Sequence, residues 1–254
     1  MKIATWNVNS IRVRLPRLLS WLERHRPDIV CLQEIKVVDK DFPKAEIEAL
    51  GYNCLTNGQK TYNGVAILSL HQPINMATSL PGDPTEGEKR LLVATIDDLT
   101  VINVYVPNGS ELGSSKYEYK LNWYSRLRTF LDSFDPAKEL LICGDFNVAP
   151  HERDVWNPVQ WEGQVLFSQP EKDAFEQLIS WGFEDTLRKL HPEEKIYTWW
   201  DYRAGAFHRG WGLRIDHILA TPPLANRCRE VYVDREERKG EKPSDHAPVI
   251  AVFE

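Results

Sequence analysis

The sequence predicts a mixed α/β sandwich, two β-sheets covered by helices, with residues 1–254 forming one domain. Three observations carry this. Short runs rich in apolar and β-branched residues recur at even spacing along the whole chain. Helical periodicity fills several of the gaps between them. No low-complexity segment, Gly/Ser linker or short repeat divides the chain. Length alone, at about 150 residues per domain, slightly favours two domains. The strand count is nevertheless too high, and the spacing too even, for two unrelated units.

In chain order, Ile3–Trp6 and Ile29–Leu32 read as buried strands. Between them Leu15, Leu18, Leu19 and Leu22 recur at helical spacing, and Pro27 ends that helix. Gly64–Leu70, Leu91–Ile96 and Val101–Val106 are dense in β-branched and apolar residues and read as strands. Tyr117–Phe134 reads as an amphipathic helix, Leu140–Cys143 as a short buried strand and Phe175–Trp181 as a helix. Ile215–Leu219, Val231–Val233 and Val249–Phe253 complete the strands.

Composition, 42% hydrophobic and 27% charged, is that of an ordinary soluble globular protein. No apolar run approaches the roughly 18–20 residues that a membrane span needs. The opening Met1-Lys2-Ile3-Ala4-Thr5-Trp6 runs directly into strand-like sequence, without the pattern of a signal or transit peptide. Cys31, Cys54, Cys143 and Cys228 are widely separated and form no CxxC pair, which argues for reduced thiols and against a zinc site. A cytoplasmic protein is the simplest expectation. The net charge of −6 argues mildly against nucleic-acid binding, although a bound divalent cation and a local basic rim can outweigh it.

Five segments place polar groups beside apolar strands. They are Trp6-Asn7-Val8-Asn9, Leu32-Gln33-Glu34, Gly144-Asp145-Phe146-Asn147, Arg214-Ile215-Asp216-His217 and Ser244-Asp245-His246-Ala247-Pro248. Taken singly, each has an ordinary explanation. An Asp after a strand is commonly a turn or cap residue, and an Asn a turn former. Together they are harder to dismiss, because a desolvated carboxylate is costly unless it is paired or bound to a metal. Several acids at strand ends point to a shared, cation-holding cleft.

The segments WNVNS, LQEIK, NVYVPNG, GDFNVAP, RIDHIL and PSDHAPV occur in an order similar to that of the exonuclease III family. That family consists of abasic-site endonucleases within the endonuclease/exonuclease/phosphatase superfamily. The likeness runs from residue 2 to about residue 253. GDFN and SDH are shared across the superfamily, whereas GQKTYNGVAIL, YTWWDYR and GLRID resemble the bacterial branch of the family. The resemblance implies a four-layer α/β sandwich, two mixed sheets flanked by helices. It also implies a Mg²⁺-dependent phosphodiesterase acting on duplex DNA at abasic sites and 3′ ends, with Mn²⁺ able to substitute. A monomer with no membrane association is expected.

Within that resemblance Glu34 is the candidate principal metal ligand, since a hard cation takes oxygen donors. Asn7 either ligates or orients its neighbours. Asp145 and Asn147, two apart and so on one side of an extended chain, are assigned to positioning and activating a water. Either residue, with Asn7 or Asp245, could also complete one metal site or build a second. Asp216 beside His246 favours the imidazolium and fixes its tautomer, giving a cation to stabilise phosphoryl charge. A general-base role for His246 stays open. Asp245 supports His246 or a metal, and Tyr105 donates its phenol to a phosphate oxygen.

Trp199 matches the family position that packs against an extruded abasic sugar, flanked by Leu213 and Ile215. Extruding a nucleotide without a base costs little stacking. Arg12, Lys60, Arg90 and Asn108 are the favoured phosphate contacts. Arg14, Lys36, Lys116, Lys120, Arg203 and Arg209 are mostly expected to be solvated charges. The sequence departs from the family at His217, where many relatives carry a larger apolar or aromatic residue. It departs again at Gln164–Pro170, where bulky Leu166 and Phe167 stand on a pocket wall. A narrowed wall would leave a 3′-end exonuclease or phosphatase. Two competing readings are a phosphomonoesterase of a small phosphate, which would lack the Trp199 pocket, and a catalytically dead binding module, which would lack some of the polar set.

Overall fold

The computed structural model describes residues 1–83 and 87–254. Its strands are β1 (Lys2–Asn7), β2 (Ile29–Gln33), β3 (Asn53–Asn57), β4 (Val65–Ser69), β5 (Ile74–Ala77), β6 (Leu91–Ile96), β7 (Leu99–Tyr105), β8 (Leu140–Asp145), β9 (Glu184–Asp185), β10 (Asp216–Ala220), β11 (Cys228–Val233) and β12 (Val249–Phe253). The helices are α1 (Ile11–His25), α2 (Lys44–Glu48), α3 (Ser115–Leu131), α4 (Pro158–Trp161), α5 (Gln169–Ile179), α6 (Thr186–Leu190), α7 (Ala206–Arg209) and α8 (Pro222–Ala225). The strands form two six-stranded sheets, ordered β11-β12-β1-β2-β4-β3 and β5-β6-β7-β8-β10-β9. Each is mixed: β1/β2 and β7/β8 are parallel, with α1 and α3 lying in the respective crossover connections, and the neighbouring pairs are antiparallel.

Successive side chains on a strand point to opposite faces, and in both sheets both faces are buried. Ile3, Cys31 and Ile67 of the first sheet meet Ala94, Val101 and Cys143 of the second in one shared core. The alternate residues Ala4, Trp6, Val30 and Leu32 pack outward with Leu18, Trp21 and Leu22 of α1. On the other side Val93, Ile102 and Ile142 pack with Trp123 and Leu127 of α3 and with Phe175 and Leu178 of α5. The result is the expected helix–sheet–sheet–helix layering. Burial on both faces explains why the central strands read as continuous apolar runs.

Two buried amides lock the sheets together. Gln33 Nε2 donates to Asn103 Oδ1 at 2.8 Å, and Asn103 Nδ2 donates across to the carbonyls of Leu32 and Ala66 at 3.0 and 2.8 Å. Gly144 lies in β8 at φ +146°, where an added Cβ would stand 1.9 Å from the Val104 carbonyl oxygen. Only glycine allows β7 and β8 to approach this closely just before Asp145.

Strand register collects the polar segments at one edge of the sandwich. Tyr105 is paired with Asp145, and Asp145 with Asp216. In the other sheet Asn7 is paired with Gln33, and Thr5 with Val249, which follows His246 closely in the chain. Among the described residues, no helix is long and apolar enough to cross a membrane.

Candidate active site

The five polar segments meet in one cleft fed by both sheets. Asn7 Nδ2 donates to Glu34 Oε1 at 2.8 Å and to Asp145 Oδ2 at 2.9 Å, and so bridges the two carboxylates. Its Oδ1 accepts the Asn9 amide at 3.0 Å. Ser244 Oγ donates to the Asn7 carbonyl at 2.6 Å and ties the loop before β12 to the end of β1.

His246 is sandwiched between two acids. Its Nδ1 lies 2.8 Å from Asp216 Oδ2, and its Nε2 lies 3.7 Å from Asp145 Oδ2. Burial alone would depress the imidazole. The charges of Asp216 and Asp145 outweigh it and push His246 up to about 10, so it is a cation at neutral pH. Asp145 is fully buried. Burial, with Asp216 and Glu34 adding to it and His246 and Asn7 opposing, pushes Asp145 up to about 7. Thr198 Oγ1 donates to Asp216 Oδ2 at 2.6 Å and accepts the Ile215 and Asp216 amides at 3.1 Å each, fixing that carboxylate.

Asn147 sits at φ +50°, a left-handed conformation that Asn tolerates better than most residues. Its N–H donates to Asp145 Oδ1 at 2.9 Å, its Nδ2 donates to the Val106 carbonyl at 2.9 Å, and its Oδ1 accepts from Asn108 Nδ2 at 3.2 Å. The Tyr105 phenol is raised well above its usual range by burial and by the Glu34 and Asp145 charges, so it keeps its proton. Arg90 lies over the Tyr105 ring, 4.8 Å from its centroid. Its Nε pairs with Glu88 at 2.7 Å and its Nη1 donates to the Tyr105 carbonyl at 3.2 Å.

A metal fits this donor set. Ligand atoms of Glu34, Asp145 and His246 lie within 4.8 Å of one another. Two converging carboxylates beside an imidazolium offer the hard oxygen donors that a small divalent cation takes. Lys36 Nζ, 2.8 Å from Glu34 Oε2, is the cation now nearest to that carboxylate. Asp245 stands apart from this group. Its oxygens accept from Asn9 Nδ2 and from Trp199 Nε1, each at 3.0 Å, and these bonds with the His246 charge hold it below the usual carboxylate range against its burial.

Beside the carboxylates opens a cavity of about 520 Å³, lined by Asn108, Leu112, Trp161, Leu166, Trp199 and Arg203 among others. Leu213 and Ile215 are 0% and 2% exposed, so they pack behind Trp199 and do not face the cavity. Leu166 faces it, at φ +78°, whereas Phe167 is wholly buried under the Lys172 ammonium. Arg12 is exposed and pairs with Asp41, and Lys60 is exposed. Lys120, expected to be solvated, is fully buried, because its ammonium finds carbonyl and carboxylate partners inside. Thr198, Asn9, Lys36 and Ser244 hold the site but were not singled out for this role. Their residue types are common, and only the folded geometry gives them partners.

Comparison with known proteins gives consistent matches. Residues 4–246 match the model of the endonuclease/exonuclease/phosphatase family. The chain is 38% identical to exodeoxyribonuclease III of Haemophilus influenzae over 266 residues, covering 100% of both chains. An AP endonuclease from Archaeoglobus fulgidus superposes with a TM-score of 0.97 at 47% identity, covering 100% of this chain and 99% of that one. A 3′-5′ exonuclease from Neisseria meningitidis does so with a TM-score of 0.97 at 45% identity, covering 100% of both.

Proposed function

The chain belongs to the endonuclease/exonuclease/phosphatase family, and on that premise we propose that it is an exodeoxyribonuclease III-like, Mg²⁺-dependent phosphodiesterase of DNA repair. It incises duplex DNA 5′ of abasic sites and removes nucleotides or blocking groups from 3′ ends. The observation that carries this reading is the Glu34–Asp145–His246–Asp216 cluster beside a cavity walled by Trp199. The names of the relatives, exodeoxyribonuclease III and AP endonuclease, support the same substrate class.

Phosphodiester hydrolysis needs a nucleophilic water, neutralised phosphoryl charge and a route for the leaving oxygen. Glu34 and Asp145 would hold Mg²⁺, or Mn²⁺ in its place, which supplies positive charge to the phosphoryl oxygens. Asp145 accepts the proton of the attacking water, a role that suits an ionised carboxylate held beside the metal position. Asn147 and Asn7 hold its oxygens in place. The His246 imidazolium, anchored at Nδ1 by Asp216, directs its Nε2–H toward the position where charge builds. Tyr105 keeps its phenolic proton and can donate it to a phosphate oxygen.

Trp199 and the cavity wall take up a sugar without its base, whose extrusion costs little stacking. Asn108, with Arg12 and Lys60 farther out, contacts the flanking backbone. Arg90 acts by steadying Tyr105. Free thiols at Cys31, Cys54, Cys143 and Cys228 suit a reducing cytoplasm, and the protein acts there as a monomer.

One observation favours a second reading. Leu166 borders the cavity, and a branched side chain on that wall would favour 3′ trimming over internal incision. The deciding experiment uses Mg²⁺, a duplex with one internal abasic analogue and an undamaged duplex with a recessed 3′ end, each repeated with EDTA. Incision lost with EDTA supports the main reading. Trimming alone supports the second, and cleavage of neither duplex rejects both.

A further inference from the structure

Lys120 on α3 and Glu171 on α5 are fully buried and form an ion pair. Such a pair is weak evidence for stability, because desolvating both charges offsets much of their attraction. What surrounds it is more informative. Lys120 Nζ donates to the Asn147 carbonyl at 2.7 Å and to the Asn108 carbonyl at 3.0 Å. These are the two residues whose side-chain amides meet beside Asp145. On the other side, Glu171 Oε1 accepts the Leu166 N–H at 3.0 Å, and Oε2 accepts the Ser168 N–H at 3.1 Å and the Ser168 hydroxyl at 2.5 Å. Leu166 faces the cavity. The two loops also touch directly, since the Ala149 N–H donates to the Leu166 carbonyl at 2.8 Å.

We propose that the Lys120–Glu171 pair is a positioning device, which holds the Asn147 amide beside Asp145 in register with the cavity wall at Leu166. The proposal rests on the nuclease reading above. Neither residue lines the cavity; beyond the charge that Lys120 exerts on Asp145, both act through the groups they hold. Asn147 and Leu166 both lie at positive φ, tolerated by Asn but strained for Leu, and a strained backbone persists only where its surroundings over-determine it. The ion pair supplies that constraint to both positions at once. A shift of the wall on binding a sugar would therefore be felt at Asn147.

The test compares wild type with the Lys120→Met/Glu171→Gln variant, which removes both charges at nearly constant volume. Both proteins are assayed with Mg²⁺ on the abasic duplex and on the recessed 3′ duplex. The expected variant melts cooperatively and loses kcat for abasic incision by about tenfold or more, as a displaced catalytic group does. Its KM stays within about twofold of wild type, as expected when only transition-state interactions are lost. The ratio of incision to trimming changes severalfold because the wall is released. Wild-type kcat in the folded variant, or a loss with an unchanged ratio, overturns the proposal. Should the double variant fail to fold, Ser168→Ala, which loosens the Glu171 carboxylate but leaves both buried charges paired, is judged by the same criteria with a severalfold loss of kcat expected. Failure of the nuclease reading itself would show earlier, as inactivity of the wild type on both duplexes.

Discussion

Replacing Asp216 with Asn removes a charge from the pair that sets the protonation of His246, with little change in volume. In the wild type the Asp216 carboxylate lies 2.8 Å from Nδ1 and, against the effect of burial, helps push the imidazole up to about 10. Opposite charges about 4 Å apart attract by roughly 4 kcal/mol at an effective dielectric near 20, which is about three pKa units. His246 in the variant is therefore expected at about 7 or below. At pH 8.5 its cationic fraction falls from nearly all to about one part in thirty, and kcat should fall about thirtyfold. At pH 6.5 most of the imidazole is again charged, and the loss attributable to charge shrinks to about twofold or less. The acid limb should move the same way, because Asp216 also raises Asp145. The assay is kcat for abasic incision between pH 5.5 and 10 at saturating DNA and metal, with the limbs read as properties of the coupled set. A basic limb that stays at its wild-type position, or an equal loss at every pH, would refute the electrostatic role and leave Asp216 a purely geometric one.

Glu34→Ala should lower kcat by about a hundredfold or more while leaving the circular dichroism unchanged, since it removes a candidate metal ligand and not a core contact. Wild-type rates in that variant would sink the metal assignment. Leu166→Gly relieves the positive φ and clears the wall, so internal incision should gain on 3′ trimming in a two-substrate competition. His217 is fully buried; burial and the Arg214 charge lower it to about 3, so above its unfolded value near 6.5 it costs nothing, and stability drains away as pH falls below that value. Between pH 7.5 and 5 the loss is ~2 kcal/mol, read as the difference between wild type and His217→Gln in urea unfolding, which cancels the opposite trend from His246.

The central strands were legible because burial on both faces makes them apolar throughout. The strands without a clear sequence signal, β3, β5 and β9, lie at sheet edges. Their sequences, NCLTN, INMA and ED, carry polar or exposed positions and no continuous apolar run. An edge strand is specified by its one neighbour, and that information is not local. Helix ends were displaced for a related reason. The helix read as Tyr117–Phe134 is Ser115–Leu131, begun by the Ser114 hydroxyl, which accepts the Tyr117 N–H. At the site, acids at strand ends stood out in the sequence. The cleft walls did not: nothing local distinguishes Leu213 and Ile215, which pack behind Trp199, from Leu166, which borders the cavity.

The cleft is a property of the space between the sheets. Asn7, Glu34 and His246 come from or beside the strands of one sheet, and Tyr105, Asp145 and Asp216 from the other. No local feature fixes the distance between these halves. It is set by the shared core of Ile3, Cys31, Val101 and Cys143 and by the Gln33–Asn103 amides that cross it. Those amides are completely buried, so an apolar replacement would strand carbonyls that they now satisfy. Asn103→Leu should therefore cost more in activity than the global stability it removes can explain. The Asn7 bridge between Glu34 and Asp145 spans the same gap, and a sub-ångström change in sheet spacing is enough to break a 2.8 Å bond there.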